Sequence, residues 1–245
     1  VIAPLAGFRR RAERNLALIY PDMPAPERHR IARAVCNNVG RTFIENYARK
    51  GFARQIEQAT LRGDGLDPLA QAQADGRPVL FVTGHFGNHE APRMALTQRG
   101  YRIGGLYRPM SNPYFNAHYE QTMLDMSGNV FPQGRRGTAG FVRMLRDGGM
   151  GTLLFDVRAT AFGRMPFLGH PAHTATSAAE IALRLDALVI PYFATRLPDG
   201  LNFEIEIEAP IPLTDVPTMM RAMTDRLEAH IRAHPEQWFW VHNRW

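Results

Sequence analysis

Pro78-Val79-Leu80-Phe81-Val82-Thr83-Gly84-His85-Phe86-Gly87-Asn88-His89-Glu90 decides the fold. Its first five residues are apolar without alternation, follow the charged Arg77 and stop at Thr83-Gly84. A run that short and that uniformly apolar reads as a strand buried on both faces. A helix is expected from about Asn88 to Gln98. Strand, glycine-bearing turn and helix in that order suggest a βα unit, and chains of such units build parallel sheets.

The same alternation continues toward the C-terminus. Strands are expected over Tyr101–Tyr107, Asn129–Phe131, Gly151–Asp156 and Leu188–Thr195, with helices opening at Asn112-Pro113 and running over Thr138–Arg146 and Thr174–Leu185. Pro198-Asp199-Gly200 is a turn, so the next strand returns antiparallel. There Leu201, Phe203, Ile205 and Ile207 alternate with Asn202, Glu204, Glu206 and Glu208, giving one buried and one acidic face, as expected near a sheet edge. A last helix runs from Pro217 to Ala233. Toward the N-terminus, Ile31, Val35, Val39, Phe43 and Tyr47 recur every four residues after Pro26, a core-facing helical stripe. The expected architecture is α/β. A mainly parallel central sheet carries an antiparallel edge hairpin and helices on both faces. One domain spans 1–245, with a helical N-terminal layer over 1–75 and an α/β core over 76–245.

A chain of 245 residues with 45% hydrophobic and 21% charged residues has the composition of a globular protein, which excludes wholesale disorder. Its one cysteine, Cys36, excludes an internal disulfide or a cysteine-built metal cluster. The formal charge is +6, and Lys50 is the only lysine among 29 basic residues. An arginine-dominated basic chain points to an anionic partner, with forked contacts to phosphate or carboxylate. No aromatic–basic RNA signature accompanies it, so nucleic acid is not expected. Val1–Phe8 followed by Arg9-Arg10-Arg11 reads either as the tail of a membrane anchor lying before Val1 or as a first helix with a charged face.

The chemistry concentrates in Thr83–Glu90. Ligands of open α/β sheets bind at the carboxyl edge, where His85 would stand. Glu90, in the first helical turn, would bring its carboxylate back to the imidazole, fix the tautomer and leave the other nitrogen as a general base. The same residues also read as a capped helix start, with Asn88 as cap and Glu90 favouring the dipole. A different chemistry, a metal-dependent hydrolase, would use His85, His89 and Asp156, although the H-E-x-x-H order is absent.

His85-x4-Glu90 is similar to the H-x4-[D/E] motif of the lysophospholipid acyltransferases. His85-Phe86-Gly87-Asn88-His89-Glu90 more closely resembles the hallmark of the lipid A biosynthesis acyltransferases, the lauroyl/myristoyl branch. Tyr107-Arg108-Pro109 with Asn112-Pro113, Arg135-Arg136-Gly137, Pro166-Phe167-Leu168-Gly169 with Pro171-Ala172 and Thr174, Pro191 with Arg196, and Pro235-Glu236-Gln237-Trp238 to His242-Asn243-Arg244 follow in the family's order. The likeness covers nearly the whole chain. Two positions depart from the pattern: His89 stands where the family usually has Trp, and Asp156-Val157-Arg158 where it usually has an Asp-Gln pair.

The resemblance implies a glycerolipid acyltransferase-like fold. It also implies transfer of a fatty acyl group from a thioester to a hydroxyl of a lipid A precursor or lyso-lipid, with His85 as general base and Glu90 as its partner. No resident cofactor is implied. The acyl donor would be an acyl carrier protein or coenzyme A thioester, and the acceptor an anionic or zwitterionic lipid. Arg108, Arg135, Arg136 and Arg158 would bind phosphates or steady the oxyanion. Asp156 would orient one of these arginines, and His89 and Asn88 complete the candidate substrate contacts. The expected place of action is the cytoplasmic face of the bacterial inner membrane, reached peripherally or through an anchor before Val1. Phe162, Met165, Phe167 and Leu168, in a long loop over Val157–His173, would line an acyl channel or pin the loop to the core. Trp238, Trp240 and Trp245 would form an interfacial belt or pack inside.

Overall fold

The computed structural model describes residues 7–245, and the opening expectation for Val1 to Ala6 lies outside the described residues. The chain begins with α1 (Phe8–Ile19), α2 (Ala25–Tyr47) and α3 (Arg49–Glu57), then β1 (Thr60–Arg62) and α4 (Leu66–Ala74). The core follows as β2 (Val79–Thr83), α5 (Ala91–Gln98), β3 (Ile103–Tyr107), α6 (Pro113–Ser127), β4 (Val130–Pro132), α7 (Arg135–Arg146) and β5 (Met150–Leu154). A hairpin of β6 (Arg164–Phe167) and β7 (His170–His173) leads into α8 (Ser177–Leu185), β8 (Leu188–Arg196), β9 (Phe203–Ile207) and α9 (Val216–Ala233).

Seven strands form one sheet in the order β1-β9-β8-β2-β5-β3-β4. All neighbours are parallel except β8 and β9. β2 lies at the centre, with all five of its residues buried. Its side chains alternate between two cores, Val79 and Phe81 on one face and Leu80 and Val82 on the other. Helices α3, α4 and α5 cover the first face; α1, α2, α7, α8 and α9 contribute to the second. Burying a side chain such as Phe81 stabilises the fold by about 1.5–3 kcal/mol, so the doubly covered strand fixes its own place in the middle.

Two expectations are corrected. The N-terminal layer is not wholly helical: β1 pairs in parallel with β9, Leu61 opposite Ile205. The acidic strand β9 lies next to that edge strand, near the sheet edge as expected. Glu204 and Glu206 meet a cation from β1, Arg62 lying 2.7 Å from Glu204 and 3.6 Å from Glu206. A three-residue strand is too short to print a period in the sequence. The long loop over 157–173 is likewise built, since β6 and β7 pair antiparallel within it. Phe167 and Leu168 are buried in the main core and Met165 packs against it, so the loop is pinned rather than lining a channel. Trp238 and Trp240 are 2% and 0% exposed, and Trp245 packs on both, which makes them core and not a surface belt.

Candidate active site

Parallel register builds the site. β2 and β5 are hydrogen-bonded neighbours that end together, with Thr83 opposite Leu154 as their last pair. His85 and Asp156, both two residues past that pair, therefore arrive side by side at the carboxyl edge. Asp156 Oδ1 lies 2.8 Å from His85 Nδ1. Its Oδ2 accepts from the His85 backbone N–H at 2.7 Å and from Trp238 Nε1–H at 2.9 Å. The carboxylate is 2% exposed, and its hydrogen bonds fix both oxygens.

The turn between His85 and Glu90 is held by backbone contacts. Gly87 has φ +55°, and a Cβ there would fall 1.8 Å from the Ala194 carbonyl oxygen, so only glycine fits. Its own carbonyl accepts from Asn38 Nδ2 and Thr42 Oγ1 of α2, and its N–H donates to the Gln237 carbonyl. Phe86 bridges to Trp238. The site is thus clamped between the N-terminal helices and the closing segment.

The expected contact between His85 and Glu90 is replaced by the Asp156 pair. Glu90 stands at the start of α5, where its carboxylate reaches one turn forward to Arg93, 2.8 Å from Nε and 2.5 Å from Nη2. Glu90 and Arg93 are 8% and 2% exposed. Gly105 of β3 makes room for that guanidinium, since a Cβ there would lie 2.3 Å from Arg93 Nη1. Asp156 accordingly orients the imidazole and not an arginine. Asn88 is also placed differently from a substrate contact. It is fully buried, accepts from the Glu90 N–H and donates to Glu45 and Asn46 of α2. The trio His85, His89 and Asp156 does not converge as a set of metal ligands, because the Asp156 oxygens face N–H donors; among the described residues the converging group is Glu206, Glu208 and His230.

A cavity of about 360 Å³ opens over the pair. His85, His89, Glu90 and Arg93 line it from below, with Tyr107, Arg108, Tyr119 and Met123 from β3 and α6 on one side and Arg158 and His242 on the other. Arg108 and Arg158 therefore line the same cavity as the imidazole. Arg135 lies on a separate groove, and Arg136 lines neither. The sequence reading missed Arg93, Tyr119, His242 and Trp238. Arg93 carried a signal, three residues after Glu90 on a helix; the others approach only through tertiary packing.

Electrostatics set the two imidazoles apart. Burial opposes a charge on His85, but the Asp156 carboxylate, its hydrogen bond and the Glu90 charge outweigh it and raise His85 above its ordinary value. His89, 5.0 Å away ring to ring, is pushed down to about 4 by burial and by the neighbouring His85. Burial works against the Asp156 and Glu90 carboxylates, yet His85 and Arg93 respectively hold them below the usual range. His242 is lowered, chiefly by burial, and its Nε2 accepts from the Arg158 N–H. With Nδ1–H committed to Asp156, His85 keeps Nε2 as a proton acceptor in a cavity flanked by cations.

Fold and site together define an α/β protein whose basic cavity surrounds an imidazole–carboxylate pair at the carboxyl edge of a parallel sheet. The family model for bacterial lipid A biosynthesis acyltransferases matches residues 2–245. The chain belongs to that family, and it is an acyltransferase. It is 27% identical to a lipid A biosynthesis lauroyltransferase of Escherichia coli K12, over 98% of this chain and 80% of that protein. A lipid A biosynthesis acyltransferase of Haemophilus influenzae is also 27% identical, over 95% of this chain and 76% of that one. A lipid A biosynthesis palmitoleoyltransferase of Escherichia coli K12 is 26% identical, over 95% and 77%.

Proposed function

We propose that the protein moves a fatty acyl group from a thioester to a hydroxyl of a lipid A precursor, with His85 as general base oriented by Asp156. The observation that carries this reading is the 2.8 Å contact of His85 Nδ1 with Asp156, which leaves Nε2 to the cavity. In the reaction Nε2 takes the proton of the acceptor hydroxyl as its oxygen attacks the thioester carbonyl. The tetrahedral intermediate collapses, the C–S bond breaks, and the imidazolium returns the proton to the leaving sulfur. Arg108 and Arg158 bind phosphate of the acceptor or donor and steady the developing oxyanion. Glu90 fixes Arg93 against the cavity wall and adds negative charge behind His85. The donor is an acyl carrier protein or coenzyme A thioester, and no resident cofactor takes part.

The acceptor is a membrane lipid, so the protein works at a bilayer surface. No helix among the described residues is long and apolar enough to cross a membrane. Support for peripheral docking comes from Phe43 and Ile44 at the end of α2 and Tyr114 on α6, 52%, 66% and 87% exposed, around Phe115, which stacks on Phe43. α6 also lines the cavity through Tyr119 and Met123, so that apolar face adjoins the site.

Purified protein with an acyl thioester and a lipid A precursor tests the reading, the acylated product being followed by mass spectrometry. His85→Ala is expected to abolish transfer while circular dichroism stays unchanged. Full transfer by that variant would overturn the assignment.

A further inference from the structure

His89 lines the cavity beside His85, the two ring centroids 5.0 Å apart and the ring planes inclined by 59°. Its side chain is 17% exposed. Among the described residues its ring nitrogens make no hydrogen bond, and the Glu90 Oε1 beside it stands 3.8 Å from Nε2. Glu90 gives its other oxygen to Arg93. A mostly buried polar group without a partner weighs against folding, and such a group in a native protein calls for a role. The neighbouring imidazoles are engaged: His85 Nδ1 faces Asp156, and His242 Nε2 accepts from the Arg158 backbone N–H. His89 presents both of its ring nitrogens unengaged at the same cavity.

A neutral imidazole carries one N–H whichever tautomer it adopts. Burial and the neighbouring His85 push His89 down to about 4, so near neutral pH its ring is uncharged and keeps that N–H. The same shift makes it a poor base, and His85 already supplies the base. An uncharged donor also sets no second cation against the imidazolium that His85 becomes. The cavity arginines offer no equivalent. Arg93 is held by Glu90, and Arg108 and Arg158 are exposed, where water and salt screen their charge. In an attack geometry the reacting atoms stand about 3 Å apart, so the carbonyl oxygen of a thioester attacked at His85 sits within a few ångströms of that ring. A donor on a ring 5.0 Å from the base can reach it.

We propose that His89 is a second catalytic residue, whose ring N–H donates a hydrogen bond to the thioester carbonyl oxygen as the acceptor hydroxyl adds. The bond from the hydroxyl oxygen to the carbonyl carbon forms, the π pair moves onto the carbonyl oxygen, and the hydroxyl proton passes to His85 Nε2. His89 gives up no proton; it holds the oxyanion. On collapse the C=O bond re-forms, the C–S bond breaks, and the His85 imidazolium protonates the sulfur. The inference rests on the thioester reading above and deepens it by assigning the oxyanion contact to one donor, with Arg108 and Arg158 adding their charge from more exposed positions.

Single-turnover kinetics of the full chain, with acyl-coenzyme A and a lipid A precursor, test the assignment. His89→Phe and His89→Leu remove the donor and are expected to slow the chemical step by about 10²–10³-fold. The half-saturating concentration of either substrate is expected to change by less than about three-fold, because the contact forms only in the transition state. His89→Gln keeps an N–H but cannot titrate, and is expected to run about ten-fold or more faster than His89→Leu, a side chain of similar volume. The acid limb of the pH profile is expected to hold its place in all three, since His85 sets it. Assigned imidazole nitrogen resonances are expected to show the wild-type His89 ring neutral down to about pH 5. An undiminished chemical step in His89→Leu and His89→Phe, a loss confined to substrate affinity, no gain in His89→Gln over His89→Leu, or a ring that protonates near the ordinary value of about 6.5 would each overturn the assignment. A wild-type protein that transfers no acyl group from either an acyl carrier protein or a coenzyme A thioester would instead overturn the thioester reading on which it rests.

Discussion

Asp156 changes what His85 can do. A histidine raised by a buried carboxylate is protonated over a wider acidic range, and only its neutral form accepts a proton. Activity is therefore expected to rise with pH through the raised His85 value. Asp156→Asn removes the charge that raises it. We expect kcat to fall by about 10²–10⁴-fold and the acid limb of the kcat/KM profile to move to lower pH, both read from steady-state kinetics. An unmoved limb would contradict the pairing. The pair also couples folding to pH. Stabilisation through His85 is complete below its unfolded value of about 6.5 and is lost as pH rises through the higher folded value. For Asp156 the sign reverses: its contribution is complete above about 3.9 and is lost on acidification toward the depressed folded value. Glu90 acts at one remove. Glu90→Gln leaves the buried Arg93 guanidinium without its counter-charge, a change worth about 3–5 kcal/mol of stability that chemical denaturation would report. The acid-limb shift is expected to be larger in Asp156→Asn than in Glu90→Gln, because only the aspartate touches the imidazole.

The β2–α5 turn carries His85 because its backbone can pass close to β8. Gly87→Ala places a methyl against the Ala194 carbonyl in a left-handed conformation and is expected to destabilise the protein by about 2 kcal/mol or more. Circular dichroism during urea unfolding checks that figure. At this scale the sequence was highly legible. The unalternating Val79–Val82 run marked β2, and the Leu201–Glu208 alternation marked β9 with its buried and acidic faces. Boundaries drifted where caps decide them: α7 begins at Arg135 rather than Thr138, and α5 at Ala91 rather than Asn88. β1 escaped altogether, since Leu61 alone faces inward and one residue shows no period.

Across the molecule, a buried ionic network ties the N-terminal helices to the sheet. Arg196 at the end of β8 reaches Glu45 of α2 at 2.5 and 2.8 Å, donates to Asn38 at 2.8 Å and lies over the Phe203 ring. Arg196→Met leaves the half-buried Glu45 carboxylate with Asn88 alone and is expected to cost about 3 kcal/mol, whereas Arg196→Met with Glu45→Met recovers most of the loss. Denaturant midpoints of the two variants decide it. The exposed apolar face is testable on the same scale. Phe43→Asp with Ile44→Asp is expected to weaken co-sedimentation with anionic vesicles by about ten-fold while transfer to a detergent-solubilised acceptor persists.

By itself the amino-acid sequence determined the class of fold, the central strand and the segment that holds the base, because hydrophobic period and turn chemistry are local properties of the chain. It also placed Asp156 and Arg158 at a strand end, though not with the right neighbours. Which carboxylate meets His85 was decided by the register of two parallel strands separated by more than sixty residues, and register is a property of the assembled sheet. The same holds for Trp238 and Gln237, brought from the chain's end to close the turn around His85. The basic charge likewise divided only in three dimensions: Arg93 and Arg196 went into buried pairs, Arg108 and Arg158 to the cavity, and Arg135, Arg143, Arg146 and Arg184 to a separate groove.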